Sequence, residues 1–320
     1  MRLPPKLTKF QIDELAKLEP ALRSCLRTAN CKRAEKLMTQ IQLLLKPTGH
    51  TSRLLQAKNW FFECSMEGGQ LEFAISGFEG VRKLMSDNTR THLEATALLG
   101  ICYLRKGNVD LAKKYLRETV RKINNIQSDK RRRQFHKRLL TRIEEECVLS
   151  GLVDFGGGKL DLDEVHDCAI ELVKTKSEEE IAEILGTLLP PKSIFLLTSV
   201  REFTVNEIII GDRKFLPAPP DTKKPRELGL KAQAALKRVA WKSVCDPETE
   251  LFKAWPGGLG VAYNKTYITA AIMASLSTWK ITATMLAASV VALVMKFGAT
   301  TFCETFVPGS VMIERSDGEE

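Results

Sequence analysis

Histidine is scarce in this sequence, and its cysteines are never closely paired. The four histidines, His50, His92, His136 and His166, stand far apart, and no His-x-x-x-His ligand pair occurs. None of the eight cysteines forms a C-x-x-C pair; the closest two, Cys25 and Cys31, are six apart. Zinc-site spacing is therefore missing, and the scatter predicts reduced, mostly buried thiols. The N-terminal stretch MRLPPKLTKFQIDEL lacks an apolar run, which argues against a secretory signal and for a cytoplasmic bulk of the chain. At 44% hydrophobic and 27% charged residues, the composition excludes a disordered chain and a polytopic membrane protein.

Catalytic signatures are also missing. The GGGK run, Gly156–Lys159, lacks the spacing of a phosphate loop and has Leu160 where a hydroxyl is required, so it reads as a flexible linker. DLDEVHDC brings Asp163 and His166 to one helix turn, but acidic residues favour a helix start, and this is its simpler reading. No enzyme activity and no cofactor are expected.

Positive charge is abundant and lopsided. The net charge is +9; residues 1–150 hold 29 Lys and Arg against 16 Asp and Glu, whereas residues 151–320 hold 19 against 23. A basic first half suits nucleic acid, nucleotide or acidic-lipid partners, or is simply a basic soluble surface. Residues 10 to about 150 read as consecutive amphipathic helices. Three segments align: NCKRAEKLMTQI with Ala34, Met38 and Ile41; GQLEFAISGFEGV with Ala74, Phe78 and Val81; GNVDLAKKYLRET with Ala112 and Leu116. The alanines lie 40 and 38 residues apart, a helix-turn-helix repeat length.

The third segment, LLGICYLRKGNVDLAKKYL, resembles the tetratricopeptide repeat through Gly100, Tyr103, Gly107, Ala112 and Leu116. The second keeps Gly69, Ala74 and Phe78 but has Phe62 where a small residue belongs, and the first lacks the turn glycine. The resemblance covers about residues 20–125. It implies a curved helical solenoid that binds a ligand or partner.

The next helix, DKRRRQFHKRLLTRIEEEC, places Phe135, Leu139, Leu140, Ile143 and Cys147 on one arc. Arg131, Arg138 and Arg142 share another, flanked by Arg133 and Lys137. This second arc is expected to face out, either to collect the phosphates of an oligonucleotide or nucleotide, or as a solvated run balanced by Glu144, Glu145 and Glu146.

Residues 151–225 read as a small, mainly helical domain and linker. SEEEIAEILGTLL is a helix capped by Ser177 and Glu180, and NEIIIGDRKF is the best strand candidate. Residues 226–262 read as a basic amphipathic helical segment, 263–306 as a membrane or oligomerisation segment, and 307–320 as an acidic disordered tail. From Tyr267 to Met295 the only charge is Lys280. Ile281–Phe302 approaches the length of a bilayer span, with Trp279 and Lys280 as interface anchors. Thr284, Ala288 and Ala292 recur every four residues, a spacing that lets helices associate in lipid. In a pore, Thr282, Thr284 and Ser289 supply polar lining, and Lys296 sets charge selectivity at one mouth. A buried helix of a soluble core is the alternative.

The fold class expected is mainly α: an N-terminal tetratricopeptide-like solenoid, a small helical middle domain, and C-terminal apolar helices with at least one membrane span. This layout, with LKRVAWKSVCDPETELFKAW before the apolar region, resembles bacterial anti-phage ion-channel effectors of the Hailong type. The resemblance implies a homo-oligomer in the bacterial inner membrane, its N-terminal domain cytoplasmic and controlled by an oligonucleotide or nucleotide ligand. The other reading is a soluble scaffold that binds a protein partner and oligomerises through its C-terminal helices.

Overall fold

The computed structural model describes residues 4–245 and 266–312. Among them the chain is mainly helical and contains no strand. It divides into two compact units, one of Met1–Leu139, Thr204–Leu216 and Ser310–Glu320, the other of Leu140–Phe203 and Pro217–Gly309. The chain returns twice to the first unit.

The first unit starts with six helices: α1 (Lys9–Thr28), α2 (Cys31–Leu45), α3 (Thr51–Glu67), α4 (Leu71–Leu84), α5 (Arg90–Arg105) and α6 (Val109–Arg121). They pair as antiparallel hairpins, and α1 also touches α3 as α3 touches α5. The three hairpins share one turn. Gly69 and Gly107 adopt φ of 83° and 77°, and the amides of Gln70 and Asn108 return to the carbonyls of Ser65 and Tyr103. This left-handed residue with its six-to-one hydrogen bond is a standard helix ending. The first hairpin, which has no glycine there, forms the same turn with Ala29 at φ 55° and the Asn30 amide on the Cys25 carbonyl.

The three aligned alanines lie in the core. Ala34, Ala74 and Ala112 are fully buried, with Met38, Ile41, Phe78, Val81 and Leu116 in the same core. At the third crossing a Cβ on Gly100 would stand 3.0 Å from Leu116. The second crossing reverses the sizes. Its large Phe62 lies over Gly77, where a Cβ would come within 2.3 Å of the ring. The departure at Phe62 is thus compensated on the opposite helix.

Helix α7 (Asp129–Leu152) begins in the first unit and ends in the second. Then come α8 (Leu162–Thr175), α9 (Glu178–Thr187), α10 (Pro191–Glu207), α11 (Ile210–Arg213), α12 (Pro225–Val244), α13 (Thr266–Thr278), α14 (Thr284–Phe297) and α15 (Ala299–Thr305). The expected capping box of α9 is present: Ser177 accepts from the Glu180 amide, and Glu180 accepts from the Ser177 amide. The strand expected in NEIIIGDRKF is instead the short helix α11 and its turns. Arg213 donates to the carbonyls of Ile208 and Asn206, a local arrangement that closes a turn rather than opening a ladder.

In the second unit α14 is the central helix. It touches α8, α9, α12, α13 and α15, and every residue from Leu286 to Val294 is buried. Helix α12 crosses α9 at two glycines. A Cβ on Gly229 would come within 1.6 Å of the Ala182 carbonyl oxygen, and one on Gly186 within 1.8 Å of that of Pro225. Backbone meets backbone there, which only glycine allows.

Candidate functional site

The basic stripe of α7 does not form the exposed row expected of it. Arg142 is 2% exposed; its guanidinium lies 2.6 Å from Glu146, which is itself fully buried. The three consecutive glutamates take separate cations: Glu144 accepts from Arg201 and Lys231, each at 2.6 Å, Glu145 from Arg238, and Glu146 pairs with Arg142. Arg142 is therefore a core ion pair, and a helical wheel misses this because it records angle and not the carboxylates that follow on the next turn. Arg131 and Arg138 are half-buried, and Lys137 is exposed. Arg133 lies 3.8 Å over the Phe215 ring and 3.5 Å from Asp212.

Asp212 and Arg132 form the tightest pair at that end of α7, at 2.8 Å. Burial raises the Asp212 carboxyl, and Arg132, together with His136 and Arg133, more than reverses this, leaving it below the usual carboxylate range. His136 is fully buried 3.8 Å from Asp212. Loss of solvent pushes its imidazole down to about 4 against the pull of Asp212.

A second charged cluster sits on the hairpins. Tyr103 and Tyr115 stack at 5.4 Å, with Arg82 lying 5.0 Å over Tyr115 and gripping Glu118 with two bonds of 2.7 and 2.8 Å. Lys122 bridges Glu118 and Asp87. Arg117 and Arg121 share Glu207.

The segment expected to span a membrane is interrupted. Lys280 takes φ 53° and lies 3.5 Å from Asp154; the Thr282 amide donates to the Phe155 carbonyl, and α14 starts only at Thr284. It stops at Phe297, where Gly298 turns the chain with φ 71°. Fourteen residues make about 21 Å of helix, short of a hydrocarbon core of about 30 Å. Among the described residues no single helix is long and apolar enough to cross a membrane; α9 and α10 reach the length and composition only together and are bent by 95°.

The pore-lining candidates have other contacts. Ala288, Ser289 and Ala292 are buried, and Ser289 donates back to the Met285 carbonyl. Thr284 is half-buried at the helix start. Lys296 donates to the Val173 carbonyl at 3.0 Å, capping the C-terminus of α8, where a cation is favourable. Gly156 was expected in a flexible linker. It holds φ 126°, and a Cβ there would stand 2.2 Å from the Thr282 hydroxyl, so Gly156 packs against the α13–α14 connection, while Gly157 and Gly158 are exposed with nothing within 4 Å.

Helix α12 also differs from a basic helix lying on a membrane. Lys237 is 9% exposed between Phe306 and Phe297, its ammonium 3.5 and 4.7 Å from their centroids. Burial lowers it to about 8. Cys245, at the end of α12, is joined by a disulfide to Cys303 on α15, contrary to the expectation of reduced thiols throughout. The other six cysteines form no disulfide. Residues 246–262 of the basic segment lie outside the described residues, as does the DPETE turn.

The tail was expected to be disordered from residue 307. Residues 307–312 are described: Val311 and Met312 are buried, and the Ser310 hydroxyl donates to Glu63 on α3 at 2.7 Å while accepting from the Met312 amide at 3.0 Å. Composition concealed this, because four acids and one arginine follow within eight residues. The apolar triplet Val311–Ile313 after Pro308–Gly309 was the available signal. Residues 313–320 lie outside the described residues.

No group of three or more potential metal ligands occurs among the described residues. No protein-family model, curated protein or solved structure matches the chain.

Proposed function

We propose that this chain is a non-enzymatic recognition protein whose first six helices form a tetratricopeptide-like solenoid that binds an acidic protein partner. The observation that carries the reading is the shared hairpin. The same turn and the same buried alanine recur three times, 40 and then 38 residues apart, and α1, α3 and α5 contact in succession. Stacked hairpins of this kind build an extended surface from side chains of successive repeats. The basic balance of residues 1–150 favours an acidic ligand. An array of short acidic, neutral and basic peptides, probed with the full chain at low and high salt, tests it. Binding concentrated on acidic members and weakened by salt is expected; an array with no binding above background overturns it.

A second reading, an oligomeric membrane effector of the bacterial defence type, is favoured by the outer face of α13. Tyr267, Ala270, Ala274, Ser277 and Thr278 are exposed, and no charge interrupts the helix from Thr266 to Thr278. In this reading that uncharged face, rather than the buried α14, makes the first contact with lipid or with another copy, and Arg131, Arg133, Lys137 and Arg138 receive the nucleotide signal. Carbonate washing of cell membranes decides it. Recovery in the washed pellet supports the effector, and complete release rejects it.

A further inference from the structure

In the first unit the chain's own C-terminal segment packs against α3. Glu63 is 1% exposed on α3, a position where a carboxylate needs hydrogen-bond partners. Ser310 supplies its hydroxyl to that carboxylate at 2.7 Å, the Met312 amide closes onto the same hydroxyl, and Val311 and Met312 are buried. The contact thus presents three features in a row: a hydroxyl, a small aliphatic side chain and a methionine.

Two further observations extend it. Gln56, Asn59 and Glu63 fall at i, i+3 and i+7 and so share one face of α3, and all three are buried. Gln56 Nε2 and Asn59 Oδ1 have no hydrogen-bond partner, although Asn59 donates to the Thr91 carbonyl through its other atom. An unused amide donor and an unused amide acceptor on one face are the complement of peptide backbone. Charge agrees: Glu314, Asp317, Glu319 and Glu320 follow the seated residues with only Arg315 against them, while residues 1–150 carry the basic excess.

The geometry points to a peptide-recognition site on α3 held in cis by Ser310–Met312, which a partner bearing an acidic segment with a Ser/Thr–aliphatic–Met core occupies by displacing the tail. This rests on the proposed recognition function and names its ligand and its regulation. The tail is a competitor, so partner affinity is reduced by the fraction of time the seat is filled.

The test uses the full chain and a fluorescent peptide of residues 306–320. Val311→Asp with Met312→Asp empties the seat. The double variant is expected to bind the peptide at least tenfold tighter than wild type, and a peptide with the serine replaced by alanine is expected to bind several-fold more weakly. A double variant that melts cooperatively and binds no better than wild type overturns the proposal. Hydrogen exchange on the wild type gives a reading that needs no folded variant. Excess peptide should speed exchange at residues 310–312, and a scrambled peptide should not; exchange that stays as slow as in α3 whatever is added also overturns it. A concentration-dependent dimer that the double variant loses would assign the seat to a second copy's tail and overturn the partner form. Acidic peptides binding the array while the tail peptide fails would reject this site and leave the recognition function standing.

Discussion

Each unit encloses one helix, and the two enclosed helices differ in what they carry. In the first, α5 is buried at every residue from Thr91 to Cys102, and the polar Thr91, His92, Glu94 and Thr96 stand among its apolar side chains. In the second, one apolar helix, α14, is enclosed by five others, and the crossing of α9 and α12 is fixed by two glycines in backbone contact. A sequence can therefore carry a run of apolar residues that reads like a bilayer span when its role is to be an enclosed helix. The lesson is about environment. A helix apolar on all sides needs an apolar surround, and protein supplies it as well as lipid.

The largest effect should come from breaking that enclosure. Ala288 lies in the middle of α14 and is fully buried. Ala288→Arg places an unpaired charge there at a cost of several kcal/mol. Hydrogen exchange is expected to lose protection across α8, α9, α12 and α14 while the hairpins α1–α6 keep theirs. Equal loss in the hairpins would show one cooperative block and dissolve the contrast between the units.

Gly229→Ala comes next. The added methyl meets the Ala182 carbonyl, which cannot move without moving α9, so the cost should reach about 3 kcal/mol even though alanine favours helix. The matching change in the first unit, Gly80→Ala on α4, meets nothing within 4 Å and should be neutral or slightly stabilising. Denaturant midpoints for the two variants compare a glycine set by packing with one that is not.

Much of the first unit was legible in advance because its rules are local. Alanine spacing and a glycine turn fix a hairpin within about forty residues, and Ala34, Ala74 and Ala112 needed nothing distant to be identified. What was not legible depends on partners far along the chain. Arg142 looks exposed until Glu146 is seen to be buried beside it; Lys237 looks like a membrane-surface cation until Phe297 and Phe306 close around it, 60 and 69 residues later. The seat for the tail joins Glu63 to Ser310 across most of the sequence.

Buried bases in the two units give them separate pH windows. His136 titrates in the folded first unit near 4, against an ordinary 6.5, and Lys237 in the second near 8, against 10.5. Both folded values lie below the unfolded ones, so between each pair the unfolded chain holds more protons and stability rises with pH. The His136 contribution rises from about pH 4 to 6.5 and is lost on acidification; the Lys237 penalty is full below about pH 8 and disappears towards 10.5. Each is on the order of 1–3 kcal/mol across its window. His136→Phe should flatten only the acid window and Lys237→Met only the alkaline one, read from melting temperatures at stepped pH. Lys237→Met should also be more stable than wild type at pH 7. A variant that alters the other unit's window would show that the assignments of these groups are wrong.

The smallest effect sharpens the repeat itself. Ala29 holds φ 55° at the turn where the second and third hairpins use glycine. A Cβ in that region costs about 1 kcal/mol, which glycine escapes, while glycine also adds freedom to the unfolded chain and gives part of that gain back. Ala29→Gly should therefore raise stability by about 0.5 kcal/mol, and the Asn30 amide should stay protected by the Cys25 carbonyl. The equivalent exchange in the other direction, Gly107→Ala, should cost about 1 kcal/mol at a position where no neighbouring atom lies within 4 Å of the new methyl. Opposite signs from the two substitutions, with the hydrogen bond kept in both, would mark the first hairpin as a true copy of the third. A destabilised Ala29→Gly would mean that the first turn is held by something other than the shared geometry, and the repeat would then begin at α3.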